Sequence, residues 1–140
     1  MEVGAGVSIA TASDVDKAGI RIGVLEKSGA DLHLSSTLKN AVPVRVKSLP
    51  ENFALLDTGK ADVIAATKPA LFTGAASRPG SRVLDGRILV EPIGMGVPKG
   101  RNAAAAAYVG KFVEEAKAVG LVKSAIERAE LRGVVAAPLK

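Results

Sequence analysis

Three times in its first half the sequence runs through a short branched-aliphatic stretch, a hydroxyl residue and a helix-forming stretch, and few folds accept that order. Ile20-Arg21-Ile22-Gly23-Val24-Leu25 reads as a strand, and Ser28-Gly29-Ala30-Asp31 opens a helix to about Lys39. Pro43-Val44-Arg45-Val46-Lys47 is the second strand; Ser48-Leu49-Pro50-Glu51 then opens a helix carrying Phe53, Leu55 and Leu56, stopped by Gly59. Asp62-Val63-Ile64-Ala65-Ala66 is the third strand, followed by Thr67-Lys68-Pro69 and a short helix through Leu71. Ser28 with Asp31, and Ser48 with Glu51, have capping-box spacing, in which hydroxyl and carboxylate satisfy opposite orphan amides. Thr67 before Pro69 reads as a cap followed by a first-turn proline. Strands alternating with helices in this way build a parallel sheet with right-handed crossovers. The fold class that follows is α/β: a parallel-rich open sheet with flanking helices.

Composition agrees with that class. The 140 residues are 48% apolar but only 3% aromatic, so the interior is made of small and branched aliphatic side chains. Such a mixture suits strands buried on both faces. With no Cys and one His (His33), disulfides, thiolate metal sites and a His-rich metal site within one chain are excluded, and no cofactor is expected. The net charge is +5, yet Lys and Arg are scattered and few aromatics exist to stack bases, so no nucleic-acid partner is expected. No stretch approaches the apolar length of a membrane helix. The N-terminus lacks the basic and Leu-rich regions of a signal peptide, so the chain reads as mature, cytosolic or cut from something longer.

After Gly74 the texture changes. Turn signals at Arg78-Pro79-Gly80-Ser81 and Asp85-Gly86 flank a short Arg82-Val83-Leu84 segment. Arg87 to Val97 reads as a longer extended run, closed by Pro98-Lys99-Gly100. Two helices follow, Ala103 to about Val119 and Leu121 to about Leu131, split by Gly120. Tyr108, Phe112, Val113, Ala116 and Val119 fall close to one stripe, which Val122, Ala125, Ile126 and Ala129 continue. The chain thus divides into an α/β lobe over 1–100 and a C-terminal helical pair over 101–140, whose apolar stripes need a partner surface.

Ligands of open α/β sheets bind outside the carboxyl ends of the strands. Lys27-Ser28, Ser48 and Thr67-Lys68 stand there, combining hydroxyls, ammonium groups and free helix-start amides that suit a carboxylate or phosphate. The bland alternative is that Ser28 and Thr67 are caps and nothing more. Gly94-Met95-Gly96-Val97-Pro98-Lys99-Gly100 has its third glycine one residue late for a dinucleotide loop and reads as a turn or hinge. His33 lies in a helix with no nucleophile arranged about it, and Glu114-Glu115 reads as a solvated face with Lys111 and Lys117. No catalytic residue stands out, and the chain is read as a non-enzyme.

The order of segments resembles the second lobe and C-terminus of the family-3 extracellular solute-binding proteins of ABC transporters, which have the type II periplasmic-binding fold. The matching pieces are Ser13-Asp14-Val15-Asp16 with Gly19-Ile20-Arg21-Ile22-Gly23-Val24, then Leu55-Leu56-Asp57-Thr58-Gly59-Lys60-Ala61-Asp62-Val63. Pro79 to Gly86, Gly94 to Gly100, and Phe112 to Lys117 with Gly120-Leu121-Val122 and Ile126-Glu127-Arg128 continue the match. The resemblance implies a two-lobed clamp of which most of the first lobe is missing here, with Val3 to Ala5 at the hinge and the terminal helices made to pack on that first lobe. It implies a periplasmic setting, a permease partner and an amino-acid or small organic anion as ligand. Ser28 matches the position that binds the ligand carboxylate, and Gly29 offers an amide nearby. Lys27 stands where the family usually has glycine. Thr67 replaces the aspartate that holds the ligand's amino group, and with Lys68 beside it an anionic or non-amino ligand is expected.

Two further readings stand beside this one. A non-enzymatic interaction protein would keep a vestigial pocket and form a homodimer through its C-terminal helices. The effector domain of a transcription regulator shares the fold, but no helix-turn-helix precedes residue 13.

Overall fold

The computed structural model describes residues 1–100 and 102–140. They form two compact units, Met1–Val90 and Glu91–Lys140. The first unit holds β1 (Glu2–Val3), a 3-10 turn (Ala12–Val15), β2 (Arg21–Leu25), α1 (Gly29–Thr37), β3 (Val42–Val46), α2 (Leu49–Asp57), β4 (Val63–Ala65), α3 (Lys68–Ala76) and β5 (Arg82–Val83). The second holds α4 (Ala103–Ala118) and α5 (Leu121–Arg128).

The sheet order is β3-β2-β4-β1-β5. β2 pairs in parallel with β3 and with β4, as the strand–helix rhythm requires. β1 lies antiparallel between β4 and β5. That strand was not expected: two residues carry no readable alternation, and only pairing with distant partners makes them a strand.

Alternation along the strands gives the sheet two covered faces. Val3, Ile22, Val24, Val63 and Ala65 share one face and form a core with Val15, Leu34 of α1 and Leu84. The opposite face carries Gly23, Ile64 and Glu2, aligned across β2, β4 and β1. Here α2 lies against the backbone. A Cβ on Gly23 would come within 2.5 Å of Asn52 Oδ1 and 2.9 Å of Leu55 Cδ1. The same device joins α2 to α3, where a Cβ on Gly74 would meet the Phe53 ring at 2.3 Å. The helix α3 continues to Ala76 rather than stopping near Leu71, and its Gly74 is a seat for Phe53.

Polar side chains tie the elements end to end. The Asp16 carboxylate accepts the amides of Lys39, Asn40 and Ala41 at 2.8–3.2 Å and so pins the turn between α1 and β3. Those bonds, Ala41's and Asn40's foremost, hold its carboxyl below the usual range. Asp62 accepts the Arg21 amide, Nε and Nη2 at 2.7–3.0 Å, joining the starts of β2 and β4.

Three expectations are corrected. Arg87 to Val97 forms no strand: Pro92 has no amide to donate, and Gly94 and Gly96 favour no one conformation. The capping boxes are displaced by one residue. Ser28 and Ser48 Oγ do accept from the amides of Asp31 and Glu51, but those carboxylates reach back to Lys27 and Lys47 instead of the cap residue. Thr67 occupies the N-cap position of α3 but its hydroxyl makes no cap bond. In the second unit, Gly120 at φ +75 separates α4 from α5 as expected, and Glu114 and Glu115 pair with Lys117 and Lys111.

Two measurements follow. Gly23→Ala forces Asn52 and Leu55 off the sheet and should lower stability by about 1–3 kcal/mol in urea unfolding. Glu2 is fully buried; Oε1 accepts from Ser81 Oγ at 2.9 Å while Oε2 has no partner among the described residues. Burial is the chief cause that raises its carboxyl above the ordinary 4.5. A raised folded-state value means stability is full below that ordinary value and is lost as pH climbs through the folded one. Glu2→Gln should therefore unfold at a higher temperature than the native chain at neutral pH, with the gap closing below pH about 4.

Candidate functional site

Because β3, β2 and β4 run in parallel, the helices that follow them all begin at one edge of the sheet. The register pairs Leu25 with Val46 and Val24 with Ala65. The turn 26–28 therefore emerges between Lys47-Ser48 on one side and Ala66-Thr67-Lys68 on the other, with neighbouring strands about 4.8 Å apart. Each helix start directs unpaired amides and partial positive charge to that edge.

The turn after β2 is the most structured of the three. The Glu26 amide donates to Val46 O at 2.8 Å, and the Ser28 amide donates back to Leu25 O at 3.1 Å. Lys27, between them, has φ +61. That conformation explains the resemblance's preference for glycine here: a side chain at positive φ crowds the backbone. The Lys27 side chain is 86% exposed, with Glu26 Oε1 3.6 Å from its ammonium. Ser28, half-buried, caps α1 through its Oγ, which leaves its hydroxyl proton free to be donated elsewhere. Gly29 is the first residue of α1, and its amide is one of the orphan donors.

Asp31 anchors this turn. Its carboxylate accepts the Lys27 amide at 2.9 Å, Ser35 Oγ at 3.2 Å and Arg45 Nε at 2.9 Å. The Lys27 amide is the largest cause that lowers its carboxyl below the ordinary value. Arg45 comes from β3 and was passed over in the sequence, where nothing but its outward place in Val44-Arg45-Val46 marked it.

The turn after β4 is looser. Thr67 is exposed and its hydroxyl makes no hydrogen bond among the described residues; Lys68, half-buried, opens α3. Asn52 Nδ2 donates to Ala65 O at 3.1 Å, fixing the last residue of β4 from below. The structure thus gathers Lys27, Ser28, Gly29, Thr67 and Lys68 on one edge, on adjacent strands. Two surface hollows lie away from that edge. One of about 500 Å³ lies between α2 and α3 and is lined by Leu49, Phe53 and Arg78 among others. Another, of about 260 Å³, is bordered by Thr11, Ser13, Asp85 and Arg87. Neither brings together charges free of protein partners around a buried centre; Arg78, for example, is spent on Asp57 and on the Phe53 ring. Among the described residues no cluster of His, Cys, Asp or Glu is placed to hold a metal, and no helix is long and apolar enough to cross a membrane. His33 is half-buried on α1, where its carbonyl accepts the hydroxyls of Ser36 and Thr37.

No family model matches the chain, and no curated protein matches it. Solved structures do. An ancestral arginine-binding protein bound to glutamine superposes with a TM-score of 0.73 at 23% identity, over 95% of this chain and 58% of that one. The same type of protein bound to arginine gives 0.73 and 23% over 94% of this chain. An ancestral amino acid-binding protein, a precursor of cyclohexadienyl dehydratase, gives 0.64 at 14% identity, over 91% and 54%. This chain spans 58% of the length of the arginine-binding proteins. The chain thus shares the α/β fold of these amino-acid-binding proteins over nearly all of its length.

Proposed function

We propose that this chain is the ligand-binding lobe of a solute receptor for an amino acid or small organic anion, and not an enzyme. The observation that carries this reading is the convergence of Lys27, Ser28, Gly29, Thr67 and Lys68 on one sheet edge, with the Thr67 hydroxyl unengaged. Solved neighbours with this fold hold arginine and glutamine, which supports a small amino-acid-like ligand. Two departures move the preference toward anions. Thr67 lacks the carboxylate that would hold an α-ammonium group, and Lys27 and Lys68 add positive charge on either side of Ser28. In this reading residues 1–100 carry the site, and residues 101–140 are helices made to pack on another lobe of a truncated or single-lobe clamp. The setting that goes with it is an ABC-type import system in the periplasm, delivering to a permease. No cofactor takes part.

A second reading is favoured by one observation: Tyr108 is 74% exposed and Phe112 47% on α4, with Val119 at 78%. An apolar stripe of that size suits a homodimer joined through α4 and α5, with a vestigial pocket.

The experiment is a thermal-shift screen with arginine, glutamine, succinate, phosphate and sulfate, repeated with Ser28→Ala and Thr67→Asp. Ligands that bind only the folded state raise the melting temperature by mass action. Ser28→Ala loses a cap and should itself cost about 1 kcal/mol, so the ligand-induced increment, not the absolute temperature, is compared. A succinate or sulfate increment that vanishes in Ser28→Ala supports the receptor reading. Thr67→Asp should turn the preference from succinate toward arginine; an unchanged preference counts against the anion assignment. No increment with any compound, together with a dimer by light scattering that Tyr108→Glu dissolves, would replace this reading with the second.

A further inference from the structure

The turn at the end of β2 contains a contradiction. Lys27 adopts a backbone conformation, φ +61, that suits glycine, yet it carries a charge that is 86% exposed. A side chain persists at positive φ where its surroundings over-determine it. Those surroundings are visible. Asp31, 5% exposed, accepts the Lys27 amide at 2.9 Å through Oδ2. Its Oδ1 receives Arg45 Nε at 2.9 Å and Ser35 Oγ at 3.2 Å, and Arg45 Nη2 also donates to Ser35 Oγ at 2.7 Å. Donors from the turn, from α1 and from β3 therefore converge on one carboxylate. The backbone amide at the same position donates to Ser28 Oγ at 3.1 Å, a cap bond that does not involve the carboxylate.

Charge alone makes Asp31 a poor neighbour for an anion. A carboxylate one helical turn from the site repels the ligand, and its presence there needs a compensating role. We propose that Asp31, braced by Arg45 and Ser35, is a positioning residue: its carboxylate holds Lys27 in the left-handed conformation, so that anion affinity depends on a carboxylate that never touches the ligand. This rests on reading the sheet edge as the ligand site. It adds that the lysine at the glycine position is a built feature, with its own support reaching to β3.

Positioning and plain electrostatics predict opposite signs. The probe is succinate, followed by amide chemical shifts of the labelled chain at constant ionic strength. Asp31→Ala removes a negative charge, so electrostatics alone would tighten succinate binding; positioning weakens it, by about 10-fold or more if the left-handed turn is released. In a Lys27→Gly background, where glycine adopts the turn unaided, Asp31→Ala should cause no weakening. Equal or tighter succinate binding by Asp31→Ala in the native background overturns the proposal, as does equal weakening in both backgrounds. The unliganded chain provides an independent reading that does not need Asp31→Ala to fold: Lys27→Gly should raise the urea midpoint by relieving the positive-φ strain. A lowered midpoint would mean that Lys27 is not held against its preference, and the proposal falls. If native protein shows no succinate-dependent shift at residues 27–29 and 67–68, the ligand-site reading fails and takes the positioning role with it. That outcome is distinct from one in which succinate binds but Asp31 proves indifferent.

Discussion

Parallel pairing of β2 with both of its neighbours is the constraint from which the rest of the first unit follows. A strand that must run the same way as the last one has to be returned by a crossover, and here each return is a nine-residue helix. All three helices consequently start on one side, and their unpaired amides accumulate there. The opposite ends are closed by side chains instead: Asp16 takes up the turn into β3, and Asp62 binds Arg21 where β2 and β4 begin. At one end of the first unit Asp16 and Asp62 tie the elements together; the other end gathers Lys27, Thr67 and Lys68 around the braced carboxylate of Asp31.

The helices reach their places because two glycines allow it. Without a side chain at Gly23, α2 sits close enough for Asn52 to hydrogen-bond the Ala65 carbonyl. Without one at Gly74, Phe53 fits into α3, and Arg78 can lie 4.5 Å over the ring while its guanidinium holds Asp57. Two buried polar atoms on this face, Glu2 Oε2 and Asn52 Oδ1, have no partner among the described residues.

The sequence was most legible where a chemical pattern is local. Ser28, Ser48 and Pro69 mark helix starts within a residue, and the motif aspartates Asp16 and Asp62 stand at real junctions. Placing Lys27, Ser28, Thr67 and Lys68 on one edge needed only the strand–helix order. What escaped depends on distant residues. β1 is a strand because of Val63 and Val83, not because of anything near Glu2. Arg45 matters to the edge because register sets it beside Val24, and Asp31 turned back one residue beyond the capping box because Lys27, unlike the cap residue, had an amide turned toward it. The role of Gly74 escaped for the same reason: its meaning lies in Phe53, twenty-one positions earlier.

The antiparallel strand in the middle of the sheet also sets an order of events. β1 pairs Glu2 with Ile64 and Val83, contacts spanning most of the first unit, whereas β2, β3 and β4 join partners far nearer in the chain. Closing long loops is entropically expensive and is deferred until local structure can reward it. In folding, β1 is therefore among the last strands to find its place. Until β1 arrives, the side of β4 that faces away from β2 stays unpaired.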